Sequence, residues 1–259
     1  MHAIRFSTFV FSLALTAPSY ASKVCEVKSG VATAAVVELY TSEGCSSCPP
    51  ADRTLNDLRR QMGPGAVVVP LALHVSYWDR IGWPDVFAQK TFDMRQSQLL
   101  ENQQHRVAYT PQFFVNGSEL RNWDAELSTT VRRINAIPAP LTITLKSTPA
   151  ANGTVLLDVS ASAPDSQTAG ALYVAVSESG LVTQVLRGEN SGASLRHDDT
   201  VRLWLGPVAL GHGVARLRKE VVLPASWRRE RLQASAFVQN QSRILQAVST
   251  AQCDAPLGS

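Results

Sequence analysis

The sequence is poor in charge, and this scarcity excludes several classes of protein. Only 17% of its 259 residues are charged, and the formal net charge is +3. Hydrophobic residues make up 45% of the chain, which is enough to build a core and argues against intrinsic disorder. Because the net charge is small and no run of lysine and arginine interleaves with aromatic residues, we predict no nucleic-acid partner.

Long apolar runs are also missing, except near the N-terminus. Residues 1–21 have the pattern of a signal peptide: Arg5 supplies the positive start, an apolar stretch covers 6–17, and a small-x-small cleavage pattern ends at Ala21. The apolar stretch is too short to span a bilayer. We therefore predict an exported protein, periplasmic or secreted, that is cleaved near Ala21 and has no membrane span in its mature chain.

Cysteine is scarce, with four residues in the whole chain. Cys45 and Cys48 stand three apart, after an apolar run at 36–40 that is typical of a buried strand. Disulfides persist in an oxidising compartment, and Cys45 and Cys48 form an obvious local pair. Cys25 and Cys253 are left, and we predict that a second, structural disulfide between them ties the two ends of the chain together.

The sequence around the first pair indicates reversible dithiol chemistry. Two cysteines at positions i and i+3 in the first turn of a helix lie on one face, with Cβ atoms about 5–6 Å apart, close enough to close a disulfide. The N-terminus of a helix also favours a thiolate over a thiol. We predict that Cys45, as the more exposed residue, is the nucleophile and that Cys48 is the resolving thiol.

Two other interpretations of this dithiol stay open. In the first, the disulfide is purely structural and has no catalytic role. In the second, the reduced pair binds a metal ion. A closed zinc site usually needs four ligands, whereas copper(I) is held by fewer, with His74 as a possible helper. No metal ligand is assigned, and no cofactor is predicted other than the redox-active disulfide.

The pattern up to residue 137 predicts an α/β domain. After the first strand and the helix that follows the cysteines, the predicted elements are a parallel strand at 66–73, a helix at 86–105 capped by Asp85, a hairpin of 112–115 with 118–121, and a helix at 124–137. The order β-α-β-α-β-β-α gives a four-stranded mixed sheet covered by helices.

The pattern changes at residue 141 and predicts a second domain. Short alternating runs, separated by turn residues about every ten positions, are typical of an all-β sandwich. The predicted division is a signal peptide at 1–21, a first domain at 22–137, a proline-rich linker at 138–140, the sandwich at 141–253 and a tail at 254–259. We expect the sandwich to dock or position a partner. Its polar cluster, made of 187–192 and 196–199, is interpreted as a hairpin stabilised by its own hydrogen bonds, with a binding site as the alternative.

The first domain resembles the thioredoxin superfamily in its order of elements and at three local sites. The CxxC pair stands at the start of the first helix, Thr110-Pro111 leads into the third strand where that fold carries a cis-proline, and Glu38 lies where thioredoxins place a buried carboxylate. The segments TSEGCSSCPPAD, HVSYWD, YTPQ, RGENSG and LRHD also resemble a family of exported bacterial thioredoxin-fold proteins of unassigned function. This resemblance covers nearly the whole mature chain.

The resemblance implies a role for each of these residues. A cis bond between Thr110 and Pro111 leaves neighbouring backbone groups free to pair with an incoming peptide. Glu38, if buried, is expected to relay a proton to or from Cys48, unless a lysine or arginine pairs with it instead. The expected partner is a redox protein or a thiol substrate, whose identity and the direction of electron transfer stay open.

Two further candidates follow from position alone. His74 and Trp78 come directly after the second predicted strand, and sites in α/β sheets tend to lie at the carboxyl ends of strands. We predict either that they line a binding groove near the dithiol or that they belong to a packed aromatic loop.

Overall fold

A computed structural model describes residues 24–241 and 243–253 as a mixed α/β protein. The predicted signal peptide at 1–21 and the tail at 254–259 lie outside the described residues. The helices are α1 (Cys48–Met62), α2 (Lys90–Asn102) and α3 (Trp123–Asn135), and the strands before residue 138 are β1 (Cys25–Lys28), β2 (Ala35–Thr41), β3 (Val68–His74), β4 (Gln112–Val115) and β5 (Ser118–Glu119).

The second half of the chain is made of strands joined by short turns. These strands are β6 (Thr142–Pro149), β7 (Thr154–Ser162), β8 (Ala171–Glu178), β9 (Leu181–Gln184), β10 (Ser194–His197), β11 (Thr200–Ala209), β12 (Val214–Val222), β13 (Leu232–Asn240) and β14 (Arg243–Ser249). Within the described residues, no helix is both long enough and apolar enough to cross a membrane.

The strands form two large sheets and one separate hairpin. The larger sheet has eight strands in the order β14-β13-β8-β11-β3-β2-β4-β5, and the smaller is a four-stranded antiparallel sheet in the order β1-β6-β7-β12. The strands β9 and β10 pair only with each other. The strand β1 therefore does not join the first-half strands that follow it, but pairs with β6 at an edge of the smaller sheet.

Both faces of the larger sheet are covered. On one face lies α2, whose Phe92, Leu99 and Leu100 pack on strands from both halves of the chain. On the opposite face, α1 and α3 cover β2, β3 and β4, and the four-stranded sheet covers β8, β13 and β14. Apart from β5, the strands of the larger sheet therefore divide their residues between the α2 face and a different partner on the other face.

The two halves are joined by a parallel pairing of β11 with β3. Thr200 pairs with Ala72, and the Ala72 N–H donates to the carbonyl oxygen of Asp199 at 2.9 Å. The larger sheet therefore combines strands from before and after residues 138–140, which the sequence predicts to be a linker. The division of the chain into two domains stays a prediction.

One predicted helix is shorter than expected. The helix α2 begins at Lys90 instead of residue 86, and Gln89 precedes it in extended conformation. Asp85 therefore does not cap this helix. Its carboxylate instead contacts His74 Nδ1 at 2.7 Å, and a buried charge partner outweighs the weaker attraction of an exposed helix end.

A buried ion pair links α2 to the sheet at the junction of the two halves. Arg95 donates from Nη2 to Glu38 Oε1 at 2.8 Å and from Nε to Oε2 at 3.1 Å, and the Tyr40 hydroxyl donates to the same carboxylate at 2.8 Å. The guanidinium also lies near three aromatic rings of the second half, at 5.2–5.6 Å from their centroids: Tyr173, Trp204 and Phe237. Arg95 therefore stabilises both halves at once.

Replacing Arg95 with methionine tests this pair. The variant leaves the Glu38 carboxylate buried without its cation, so we expect the free energy of unfolding in urea to fall by about 3–5 kcal/mol. The control is Arg60→Met, at a side chain that is 77% exposed, and its expected change is within about 0.5 kcal/mol. The double variant Glu38→Leu/Arg95→Met removes both charges and is expected to regain most of the loss. A single-variant loss no larger than that of the control contradicts the assignment.

Candidate functional site

The CxxC pair lies in the turn between β2 and α1. Cys45 and Cys48 form a disulfide with Cα atoms 5.4 Å apart, and α1 begins at Cys48. Pro49 and Pro50 occupy the first turn and have no N–H, and the Cys48 N–H donates to the Cys45 carbonyl oxygen at 3.2 Å. Few amide groups of this helix terminus are therefore available to stabilise a thiolate, fewer than the sequence argument assumed.

Both cysteines are fully buried, with an exposed fraction of 0% each. The prediction that Cys45 is the more exposed residue is therefore wrong. The chain between β9 and β10 folds over the CxxC turn, and Trp78 and Trp83 lie against Gly44 of the same turn. We call residues 187–192 the cap loop.

The cap loop binds the main chain on both sides of Cys45. Asn190 Nδ2 donates to the carbonyl oxygens of Glu43 at 2.8 Å and of Cys45 at 3.0 Å. Glu189 Oε2 accepts from the N–H of Ser46 at 3.0 Å and from its hydroxyl at 2.7 Å. The interpretation of this segment as a self-contained hairpin is therefore incomplete, because two of its side chains bond to the CxxC turn.

A network of buried charged side chains adjoins the CxxC turn. His74 Nδ1 lies 2.7 Å from Asp85 Oδ2, and the Glu43 N–H donates to the same oxygen at 2.9 Å. His197, which the strand β10 supplies, places Nε2 at 3.1 Å from Glu43 Oε1. The two imidazole rings are 4.9 Å apart between centroids. These residues join β3, the CxxC turn and the β9–β10 hairpin into one polar cluster.

The pKa values of the buried groups in and beside this cluster are shifted in different directions. Burial lowers the pKa of His74, but the charge of Asp85 and the hydrogen bond to it outweigh burial, so the pKa of His74 is raised. Burial raises the pKa of Asp85, yet the attraction of His74 and its hydrogen bond leave that pKa below its ordinary value. Asp52 differs from Asp85, because burial dominates and raises the pKa of its carboxyl despite the nearby histidines.

Asp52 is a buried acidic residue in the same helix as Cys48. It follows Cys48 by four residues in α1, so the two side chains share one face of the helix with Cβ atoms about 5–6 Å apart. Its Oδ1 accepts a hydrogen bond from Thr41 Oγ1 at 2.8 Å. Asp52 also lines a cleft of about 440 Å³ between α1 and β10, together with Asn56 and Arg196. This cleft connects the buried carboxyl to solvent.

Glu38 is not brought to the cysteines. Its neighbours Val37 and Leu39 face α1, so Glu38 points to the opposite face of the sheet, where it pairs with Arg95 of α2. The structure therefore has the ion pair that the sequence analysis gave as the alternative, and this placement offers no route for a proton relay from Glu38 to Cys48.

Four other predicted residues lie around the end of β2 that leads into the CxxC turn. The Thr110–Pro111 bond is cis, and because Tyr40 pairs with Gln112, Pro111 continues the register beside the end of β2. The Oγ1 of Thr110 is buried and has no hydrogen-bond partner among the described residues. His74 lies inside the polar cluster and not in an open groove. Trp78, in a 3₁₀ turn at Ser76–Ile81, is partly buried against the core beside α2.

The two remaining cysteines are joined to each other, and copper(I) binding by the reduced CxxC pair stays a prediction. Cys25 and Cys253 form a disulfide with Cα atoms 6.0 Å apart, in the pairing that the sequence analysis expects. No group of three or more histidine, cysteine, aspartate or glutamate side chains in the described part of the chain is arranged to hold a metal ion. His74 contacts Asp85 through Nδ1, and its buried Nε2 has no hydrogen-bond partner among the described residues.

Fold and site together define a class: mixed α/β proteins with a CxxC disulfide at the start of a helix and a β-rich second half that closes over it. The chain belongs to the DUF1223 family, which is described as proteins of unknown function and whose profile matches residues 36–239. No curated protein matches the chain.

Two solved structures are similar to this protein. One is a structural-genomics target from Agrobacterium tumefaciens, with 24% identity and a TM-score of 0.61, covering 88% of this chain and 96% of that one. The other is HBP35 of Porphyromonas gingivalis, with 17% identity and a TM-score of 0.68, covering 89% of this chain and 79% of that one. At these identities the likeness shows the fold alone.

The pair of His74 and Asp85 gives a prediction of pH-dependent stability. Because the folded-state pKa of His74 lies above its ordinary 6.5, its stabilisation is complete below pH 6.5 and is lost as the pH rises through the raised value. Because the pKa of Asp85 lies below its ordinary 3.8, its contribution is present above pH 3.8 and is lost as the pH falls through the lowered value. Asp85→Asn is therefore expected to lower the free energy of unfolding in urea by about 3–5 kcal/mol at pH ~5. At pH ~9 the expected loss is smaller.

The control for this measurement is Asp165→Asn, the same substitution on an exposed loop. Its free energy of unfolding is expected to stay within about 0.5 kcal/mol of the wild-type value at both pH values. A loss in Asp85→Asn that is equal at the two pH values contradicts the ionised pair.

Proposed function

We propose that the protein is an exported thiol–disulfide oxidoreductase of the thioredoxin type, with Cys45 and Cys48 as its redox pair. The observation that carries the proposal is the Cys45–Cys48 disulfide at the start of α1, with the buried carboxyl of Asp52 one helical turn further on. The order of β2, α1, β3, α2, β4, β5 and α3 and the position of Pro111 beside the end of β2 support the thioredoxin-like assignment.

The exchange proceeds in two balanced steps from the oxidised form. A substrate thiolate attacks Cys45 Sγ and forms a mixed disulfide, the Cys45–Cys48 bond breaks, and Cys48 leaves as a thiolate that takes a proton from Asp52. A second substrate thiolate then attacks the substrate sulfur of the mixed disulfide, and Cys45 leaves as a thiolate that takes a proton from water. Two electrons pass from the substrate dithiol to the protein, and the reverse sequence reduces a substrate disulfide.

The proposed location rests on the same bonds. All four cysteines of the chain are joined in the two disulfides, and disulfides persist in oxidising compartments. This supports the periplasmic or secreted location that the signal-peptide pattern predicts. A protein thiol or disulfide is the proposed substrate class.

A structural disulfide is the second candidate, and one observation favours it. Both cysteines are fully buried, and a disulfide that no thiolate reaches undergoes no exchange. The two candidates differ in whether the bond opens while the protein stays folded.

A redox titration of the folded protein separates these candidates. We expect the Cys45–Cys48 bond to be reduced reversibly in a glutathione or dithiothreitol buffer, at a potential between about −270 and −120 mV, while Cys25–Cys253 stays oxidised. Thiol alkylation with mass spectrometry reports each pair, and Cys48→Ser is expected to accumulate a mixed disulfide at Cys45. If the pair is reduced only in denaturant, the redox function is contradicted and the disulfide is structural.

A matched pair of variants tests the proton transfer by Asp52. Asp52→Asn keeps the shape of the side chain but cannot accept the proton of the Cys48 thiol. In the reducing direction, in which Cys48 attacks the mixed disulfide at Cys45, release of that disulfide at neutral pH is therefore expected to slow by about 100-fold and to lose part of its pH dependence. Glu38→Gln is the comparison. The sequence predicts that this variant slows release of the mixed disulfide, whereas the position of Glu38 on the opposite face of the sheet predicts an unchanged rate. An unchanged rate in Asp52→Asn, measured by quenched-flow alkylation, removes Asp52 from the mechanism.

A further inference from the structure

The cap loop stands in the path that a protein substrate needs. In the structure, where the cap loop makes these contacts, both cysteines are fully buried, although an exchange protein must expose at least one of the two sulfur atoms. Asn190 bonds to the carbonyl oxygens of Glu43 and Cys45, and Glu189 bonds to the N–H of Ser46. An extended substrate backbone passing Cys45 needs the same kind of partners.

We propose that the cap loop is a gate that determines whether protein thiols reach Cys45, with Glu189 and Asn190 as the residues that hold it closed. This inference rests on the proposed function, because a gate has no purpose over a bond that never opens. The gate selects by size: a small dithiol reaches the pair during brief openings, whereas a protein thiol needs the whole loop to be displaced.

The base of the hairpin is anchored and does not move with the gate. Arg59 of α1 forms an ion pair with Asp199 at 2.7 Å, and Asn56 of the same helix bonds to the main chain of Arg196 and Asp198. Buried His197 adds its contact to Glu43. These contacts fix β10 against α1, so opening is confined to the chain between the two strands.

The tip of the hairpin has the features of a hinged segment. Gly188 and Gly192 flank Glu189, Asn190 and Ser191, and both glycines have positive φ, of 80° and 83°. Such backbone positions are accessible to glycine at little cost, so this segment can change conformation at both ends. The tip is mostly exposed, and four hydrogen bonds join it to the CxxC turn: two exposed bonds from Ser46 to Glu189, and two partly buried bonds from Asn190 to the main chain of Glu43 and Cys45. Gly188 also lies against Trp83. Each of these contacts is individually weak.

The gate makes a prediction about reduction rates in the complete, oxidised protein. Asn190→Ala removes two of the closing hydrogen bonds, so reduction of Cys45–Cys48 by reduced thioredoxin as the protein probe is expected to accelerate by about tenfold. Reduction by dithiothreitol is expected to change much less. The matched control is Gln184→Ala on the same hairpin, where the side chain bonds only to Ser194 Oγ at 2.7 Å and not to the CxxC turn.

The outcomes separate the gate from the function that it serves. Equal acceleration for both reductants, or none for either, overturns the gate but leaves the redox pair in place. A pair that neither reductant opens, in wild type and variant alike, overturns the proposed function itself. The rate for Cys25–Cys253, followed in the same samples, must stay constant, because its increase indicates general unfolding.

A second measurement on the wild type covers the case in which the variant does not fold. The gate predicts that the Ser46 N–H, which is held by Glu189, exchanges with solvent deuterium faster than the N–H groups paired between β9 and β10. Equally slow exchange at Ser46 and in the paired strands overturns the gate.

Discussion

The parallel pairing of β11 with β3 determines what surrounds the CxxC disulfide. Because the N–H of Ala72 binds the carbonyl oxygen next to Thr200, the chain immediately before β11 must run over α1. That chain is the β9–β10 hairpin, which supplies His197 to the buried cluster and carries the cap loop. One short contact between strands from the two halves therefore builds the site from both of them.

Local patterns predicted the elements well, because each depends on residues that are neighbours in the chain. The apolar run before the cysteines became β2, the proline-containing first turn became the start of α1, and residues 112–115 became β4 as expected. The burial of Cys45 was not predictable in this way. The cap loop reaches Cys45 through Asn190, which is 145 residues away, and no periodicity in either segment indicates that the two meet.

The position of the acid was partly readable from the sequence. Alternation along β2 places Glu38 on the same face as Val36 and Tyr40, but the sequence does not say which face α1 covers. In contrast, the spacing of Asp52 from Cys48 is a helical turn, and an aspartate beside the buried residues of α1 is a signal that we did not use. Asp85 was wrongly predicted to cap a helix, because its partner His74 lies on a different element and local spacing does not reveal their contact.

The disulfide between Cys25 and Cys253 makes the described chain a covalent ring. Their sequence separation of 228 residues encloses nearly every element of both sheets. A single proteolytic cut in any surface turn therefore yields no separate fragments, and the nicked molecule keeps its two pieces together for as long as that bond is oxidised. For a protein proposed to be periplasmic or secreted, one cut in a turn therefore does not by itself separate the parts of the site.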